Sequence, residues 1–208
     1  MLRTTEPTED QIKLGALLST IVLASSSPNR KKLLENSGLS VTTFTPDADE
    51  STEGLSTEDA MKKNARVKME AYLNSPSFRP DTVAVSADTL VEIDGTLLGK
   101  PKDREDAKRM LEHLSGRVQK VYTGCSVYLP ESRNTVTFCD TADVVFHTLT
   151  TEDIEGYLDT DEWKGAAGAY RLQKTGYTLV ERIDGDWATV VGLPIKRIIK
   201  LLQPKSSS

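Results

Sequence analysis

A carboxylate that closes an unbroken apolar run is placed to do acid–base work, and Asp88 closes one. Thr82-Val83-Ala84-Val85 leads into Ser86-Ala87-Asp88-Thr89, and such a run reads as a buried strand covered on both faces. Open α/β sheets hold their ligands beyond the carboxyl ends of such strands. Downstream, Leu90-Val91-Glu92-Ile93 meets Asp94-Gly95, a strong two-residue hairpin signal, and returns as Thr96-Leu97-Leu98-Gly99-Lys100-Pro101. With Asp94 and Gly95 at the turn, Ile93 faces Thr96 and Thr89 faces Lys100. An acid and a base 12 positions apart then meet at one sheet end. A salt-bridged strand end without catalytic work fits this stretch equally well.

Other residues tip the balance. Ile21-Val22-Leu23-Ala24 reads as a first buried strand running into Ser25-Ser26-Ser27-Pro28-Asn29-Arg30. Ser27 is a good N-cap, Pro28 suits the first helical position, and Gly38 ends the helix. A strand, a small-residue turn and a helix start make an anion site of free backbone N–H groups. Arg30 in the first turn opposes the helix dipole, which points either to a ligand or to an ordinary surface Arg. The turn carries neither a Walker loop nor a dinucleotide fingerprint. After the strand Val41–Phe44, the loop Asp47-Ala48-Asp49-Glu50 is either a solvated acidic loop or a source of one carboxylate, Glu50, for a Mg²⁺ sphere completed by water and phosphate. Thr57 caps a long helix whose inward stripe is Ala60, Met61, Asn64, Ala65, Lys68 and Tyr72. Lys68 is out of place there as a solvating residue.

The remaining elements frame these groups. Asp103 starts a helix closed by Gly116, and two long strands, Val118–Leu129 and 135–149, form a hairpin. Thr151 caps a short helix to Leu158. The small-residue segment 161–170 opens a strand closed by Gln173, whose amide suits a base edge. Tyr177–Ile183 is a further strand, and a final helix ends at Leu202. The chain divides into an extension (1–18, partly disordered or weakly helical), one domain (19–203) and a tail (204–208).

The net charge of −5 and a sequence pI near 5.2 argue against a nucleic-acid polymer or an anionic membrane as partner. No run approaches the length of a membrane span. Cys125 and Cys139 lack metal-ligand spacing and read as reduced core thiols, which points to the cytoplasm. His113 and His147 have no partner that would make either one a ligand or base.

Together, Ser25, Ser27, Arg30, Lys68, Lys100, Glu50 and Asp88 suit hydrolysis of a phosphoanhydride by water. Asp88 is the general base or holds a metal-bound hydroxide, Glu50 shares the metal, and Lys68, Lys100 and Arg30 clamp a triphosphate.

Leu23–Arg30, Asp49-Glu50, Asn64-Ala65-Arg66-Val67-Lys68, Ser86–Thr89, Gly99-Lys100-Pro101, Leu114-Ser115-Gly116, Ala167–Gln173 and Val191-Gly192-Leu193-Pro194 resemble, in order, the motifs of the Maf family of nucleotide pyrophosphatases. The resemblance implies an α/β fold with a mixed, strongly curved sheet flanked by helices, in two lobes around a central cleft. It implies hydrolysis of nucleoside triphosphates to monophosphate and pyrophosphate, a divalent cation (Mg²⁺ or Mn²⁺), and a homodimer. Asp88 takes the proton-acceptor position, and Ser25, Arg30, Glu50, Lys68 and Lys100 fall on the polar positions around phosphates and metal. Asn29, Thr89 and Gln173 occupy the positions that go with base preference. Thr89 and Gln173 resemble the dTTP/UTP branch rather than the 7-methyl-GTP branch, whereas Asn29 departs from both, and Ala166 stands where many relatives carry Lys. A nucleotide-sensing module acting in cell-division control, and a phosphatase releasing single phosphates, are the rival readings.

Overall fold

The computed structural model describes residues 6–51 and 53–203. The chain runs α1 (Glu9–Leu17), β1 (Thr20–Ala24), α2 (Pro28–Asn36), β2 (Ser40–Phe44), α3 (Thr57–Leu73), β3 (Ala84–Ile93), β4 (Thr96–Leu98) and α4 (Arg104–Leu114). It continues through β5 (Val118–Leu129), β6 (Asn134–Phe146), α5 (Thr151–Leu158), β7 (Val180–Asp184), α6 (Trp187–Val191) and α7 (Ile195–Leu202). Seven strands form one open, mixed sheet in the order β2-β1-β3-β5-β6-β7, with β4 paired to β3. β1 is parallel to β2 and to β3, whereas β3–β4 and β6–β7 are antiparallel. This is the mixed, helix-flanked α/β sheet expected.

Two compact units share these strands. The first comprises the described residues of 6–89, Thr123–Asp140 and 192–203. Its core packs Val22, Ala24, Met69, Tyr72, Ala84 and Tyr128, with an aromatic run from Phe44 through Tyr72 and Phe78 to Tyr128 at centroid spacings of 5.4, 5.7 and 5.3 Å. α3 lies tight against the sheet. A Cβ at Gly124 would stand 2.0 Å from the Met61 carbonyl oxygen, so only glycine lets the two backbones approach there. Ser86 Oγ donates to the Ala65 carbonyl at 2.6 Å, tying β3 to the same helix.

α1 belongs to this unit. Its Thr8–Gln11 capping box fixes the start at Glu9, so the extension expected to be partly disordered or weakly helical holds a regular, capped helix. Leu14 is fully buried, and Gln11 Nε2 donates to the Leu33 carbonyl at 2.9 Å. The outer parts of the expected extension and tail, residues 1–5 and 204–208, lie outside the described residues.

The second unit comprises Leu90–Tyr122 and Thr141–Val191. Its core gathers Val91, Leu111, Val144, Phe146, Leu158 and Tyr170. The strand expected to begin in the segment 161–170 and to close at Gln173 is absent. Gly165, Gly168 and Ala169 have φ of 70°, 69° and 63°, left-handed values that break an extended run. A 3-10 turn (Ala167–Ala169) replaces it, and Gln173 lies in a turn. Likewise, a 3-10 segment over Thr175–Leu179 delays β7 to Val180. Two caps also shift by one residue: Ser56 caps α3 and Thr150 caps α5, each hydroxyl accepting from the backbone N–H three positions on. No helix among the described residues is long and apolar enough to cross a membrane.

Candidate active site

Asp88 is not at a strand end. β3 runs unbroken through it, beside β5 in the sheet, with its ladders to β1 and to β4 lying on either side of Asp88. The parallel ladder to β1 covers only Val22↔Ala84 and Leu23↔Val85, and the hairpin ladder to β4 begins at Val91. Continuing the parallel register sets Asp88 level with the Ser25–Ser27 turn, beyond the carboxyl end of β1. The physical expectation therefore survives with a different strand supplying the end. The hairpin turns at Asp94 (φ 49°) and Gly95 (φ 76°) with Ile93 opposite Thr96, as predicted. Its ladder stops at Val91↔Leu98, two pairs short of the expected Thr89–Lys100 juxtaposition. The Gly99 carbonyl instead accepts from Gly168 N–H at 3.1 Å.

The carboxylate of Asp88 is gripped at both oxygens from one face of α3. Lys68 Nζ donates to Oδ1 at 2.9 Å, and Asn64 Nδ2 donates to Oδ2 at 2.8 Å. Residues four apart on a helix stack one above the other, which is why this pair meets one target. Lys68 also pairs with Glu50 Oε2 at 2.9 Å. Its side chain is 10% exposed, against 20% for Asp88 and 47% for Glu50. One ammonium thus links the two acids expected to share a metal.

A second cation sits on the β1–α2 turn. Ser27 caps α2, accepting from Arg30 N at 3.4 Å. Ser25 Oγ accepts from Ser27 N at 3.2 Å and from Arg30 Nη1 at 3.0 Å. The guanidinium is completed by Nε donating to the Gly192 carbonyl at 2.8 Å and Nη2 donating to Thr89 Oγ1 at 3.0 Å. Every acceptor in this set is neutral. Burial lowers the pKa of Arg30 from its ordinary value, an effect opposed by the negative charges of Asp88 and Glu50. Burial likewise pushes the neighbouring Cys125 thiol up to about 12, despite the attraction of Arg30. Cys125 therefore supplies no counter-anion at neutral pH.

Thr89 Oγ1 lies 2.9 Å from Thr123 Oγ1, so β5 helps to set the hydroxyl that Arg30 reaches. Gly192 has φ of +112°, and a Cβ there would stand 3.1 Å from Thr89 Oγ1 and 3.2 Å from Arg30 Nε. The residue holding the Arg30 clamp open must be glycine.

Ser25, Ser27, Arg30, Glu50, Lys68, Asp88 and Thr89 thus gather in the first unit. Asn29 is half-buried at the start of α2. Lys100 and Gln173 belong to the second unit, Lys100 exposed and Gln173 half-buried. Sequence reasoning gave no role to Asn64, Thr123 or Gly192. Asn64 carried the same signal as Lys68, a polar side chain on the inward stripe one turn earlier. Both cysteines are free, Cys125 in the core as expected but Cys139 only half-buried.

No group of three or more His, Cys, Asp or Glu side chains that could hold a metal occurs among the described residues. Glu50 and Asp88 give two oxygen donors, the number that Mg²⁺ takes when phosphates and water complete its octahedron.

Comparison with known proteins bears on the whole of this arrangement. The family profile described as Maf-like protein matches residues 20–205. A dTTP/UTP pyrophosphatase of Bacillus velezensis is 41% identical over 184 residues, covering 88% of this chain and 95% of the relative. A dTTP/UTP pyrophosphatase of Caldanaerobacter subterraneus subsp. tengcongensis is 40% identical over 185 residues, covering 88% and 87%. One from Clostridioides difficile is 40% identical over 184 residues, covering 88% and 93%. α1 precedes the matched residues.

Proposed function

Because the chain belongs to the Maf family, we propose that it hydrolyses nucleoside triphosphates to the monophosphate and pyrophosphate, with dTTP and UTP as its substrates. The observation that carries this reading is the buried Arg30 guanidinium, held by three neutral acceptors at the start of α2. A buried cation without a carboxylate partner is costly unless an anion arrives to pair with it. A helix N-terminus with free N–H groups is where a phosphate binds.

In this reading, Asp88 accepts the proton of a water molecule as its oxygen attacks the α-phosphorus. The bond from that phosphorus to the bridging oxygen breaks, and pyrophosphate leaves. Lys68 orients the base through its 2.9 Å contact with Oδ1, and Arg30 binds phosphate oxygens. General-base help of this kind is worth about 10²–10⁴-fold. Glu50 and Asp88 would hold a Mg²⁺ or Mn²⁺ ion, which when bound would offset phosphate charge. The family likeness supports phosphate contact for Ser25 and Lys100, base contact for Asn29, Thr89 and Gln173, and a homodimer; the turn before α2 supports phosphate contact for Ser27, and the two free cysteines support a cytoplasmic location.

The test is a product analysis over natural and modified nucleoside triphosphates with Mg²⁺ or Mn²⁺, repeated with Asn29→Arg. Pyrophosphate and monophosphate from dTTP or UTP are expected. Orthophosphate without pyrophosphate, or tight binding without turnover, contradicts the reading.

A further inference from the structure

We infer that Asn64 is a positioning residue for Asp88, fixing the plane of its carboxylate so that one lone pair is aimed at the attacking water. The inference rests on the assignment of Asp88 as base and goes beyond it to a residue with no role so far.

Asn64 is 4% exposed on the apolar stripe of α3. Its Nδ2 donates to Asp88 Oδ2 at 2.8 Å, while its buried Oδ1 has no hydrogen-bond partner among the described residues. The amide cannot turn over to relieve this, since the reversed orientation would set Oδ1 against a carboxylate oxygen, acceptor against acceptor. A buried acceptor left unpaired is unfavourable, and the amide's hydrogen bond is the one to Asp88 Oδ2. Leucine at this position would also suit the flanking Met61 and Ala65. What the amide adds over an apolar side chain at this place is its contact with Asp88.

The carboxylate needs that contact because its terminal torsion is soft. Lys68 already divides its ammonium between Asp88 Oδ1 and Glu50 Oε2, each at 2.9 Å. With Lys68 alone, Asp88 is free to rotate about Cβ–Cγ and offer either oxygen. Donors on both oxygens, presented by one helix and one turn apart, remove that freedom. An oriented base loses less on reaching the transition state than one that must first be ordered.

The experiment compares the wild type, Asp88→Asn, Asn64→Leu, Asn64→Asp and the double variant Asn64→Leu/Asp88→Asn on dTTP or UTP. It reads kcat, KM, thermal midpoint and the Kd of a non-hydrolysable nucleotide. Asn64→Leu is expected to lower kcat about 10- to 100-fold, the range seen when an outer partner of a site group is removed. KM and Kd should stay within about threefold in a protein whose thermal midpoint shows that it remains folded. Asn64→Asp keeps the shape and replaces the donor by a charge, so it should lose at least as much kcat. In the double variant, Asn64→Leu should cost no further activity beyond Asp88→Asn, because the two act as a unit. Wild-type kcat in either folded Asn64 single variant overturns the inference alone. A full second loss in the double variant does the same. An Asp88→Asn protein as active as wild type overturns both the base assignment and the inference resting on it.

Discussion

Two buried cations in the same unit are held in opposite ways. Lys68 is committed to carboxylates, with Asp88 and Glu50 each 2.9 Å from its ammonium. Among the described residues, the Arg30 guanidinium donates hydrogen bonds to Ser25 Oγ, Thr89 Oγ1 and the Gly192 carbonyl, all neutral acceptors. The first is neutralised before any ligand arrives, and its work is to hold a base. The second keeps its charge, and its work is to receive an anion. Arginine suits that post, since its planar fork takes three fixed acceptors and still has N–H groups for phosphate. Lysine suits the other, since a compact point charge can sit between two acids.

The contrast can be broken by variants of either arm. The largest effect is expected from Asp88→Asn, which should lower kcat by about 10²–10⁴-fold in a protein that stays folded. Pyrophosphate release under saturating nucleotide checks this. Arg30→Gln should spare the base and lower kcat/KM by about 100-fold, as loss of a buried charged contact costs roughly 2–5 kcal/mol, with most of the change in KM. A smaller effect should follow Gly192→Ala. The added Cβ, about 3.1–3.2 Å from Thr89 Oγ1 and Arg30 Nε, presses on the Arg30 clamp at a left-handed φ, so KM should rise several-fold and the thermal midpoint should fall by the equivalent of about 1–3 kcal/mol.

The smallest effect concerns Cys125. Its folded pKa of about 12 lies above the ordinary value of 9.0, so above pH 9 the unfolded chain releases a proton that the folded chain keeps. Stability from this group is whole below pH 9 and declines as pH rises towards 12. Wild type should therefore lose more stability over that window than Cys125→Ala, measured by denaturant unfolding. An equal loss would mean that Arg30 already has a thiolate beside it, and the contrast between the two cations would weaken.

The two arms also differed in how far they could be read from sequence. Local signals gave the Arg30 arm almost completely: apolar run, Ser27 cap, Pro28, then Gly38 at φ 81°. Its distant supports gave no local signal: nothing nearby in sequence says that the Gly192 carbonyl returns to an arginine 162 residues away, or that Thr123 meets Thr89. On the other arm, the helical stripe disclosed Lys68 and also contained Asn64. The stripe shows that a polar side chain faces inward, but its partner depends on sheet register. Register is where the reading of β3 erred. Two short strands were expected, and one long strand with its β1 and β4 ladders on either side of Asp88 was found. The small-residue segment 161–170 misled in another way, since close packing there is achieved with left-handed turns rather than a strand.

The most direct test of the division of labour between the two cations is calorimetric titration of a non-hydrolysable dTTP analogue, with a chelator present so that no divalent ion links Asp88 to phosphate, into wild type, Arg30→Gln and Asp88→Asn. An affinity about 100-fold weaker for Arg30→Gln, with Asp88→Asn within about threefold of wild type, is the predicted result. Weak binding by Asp88→Asn beside unchanged binding by Arg30→Gln would contradict it.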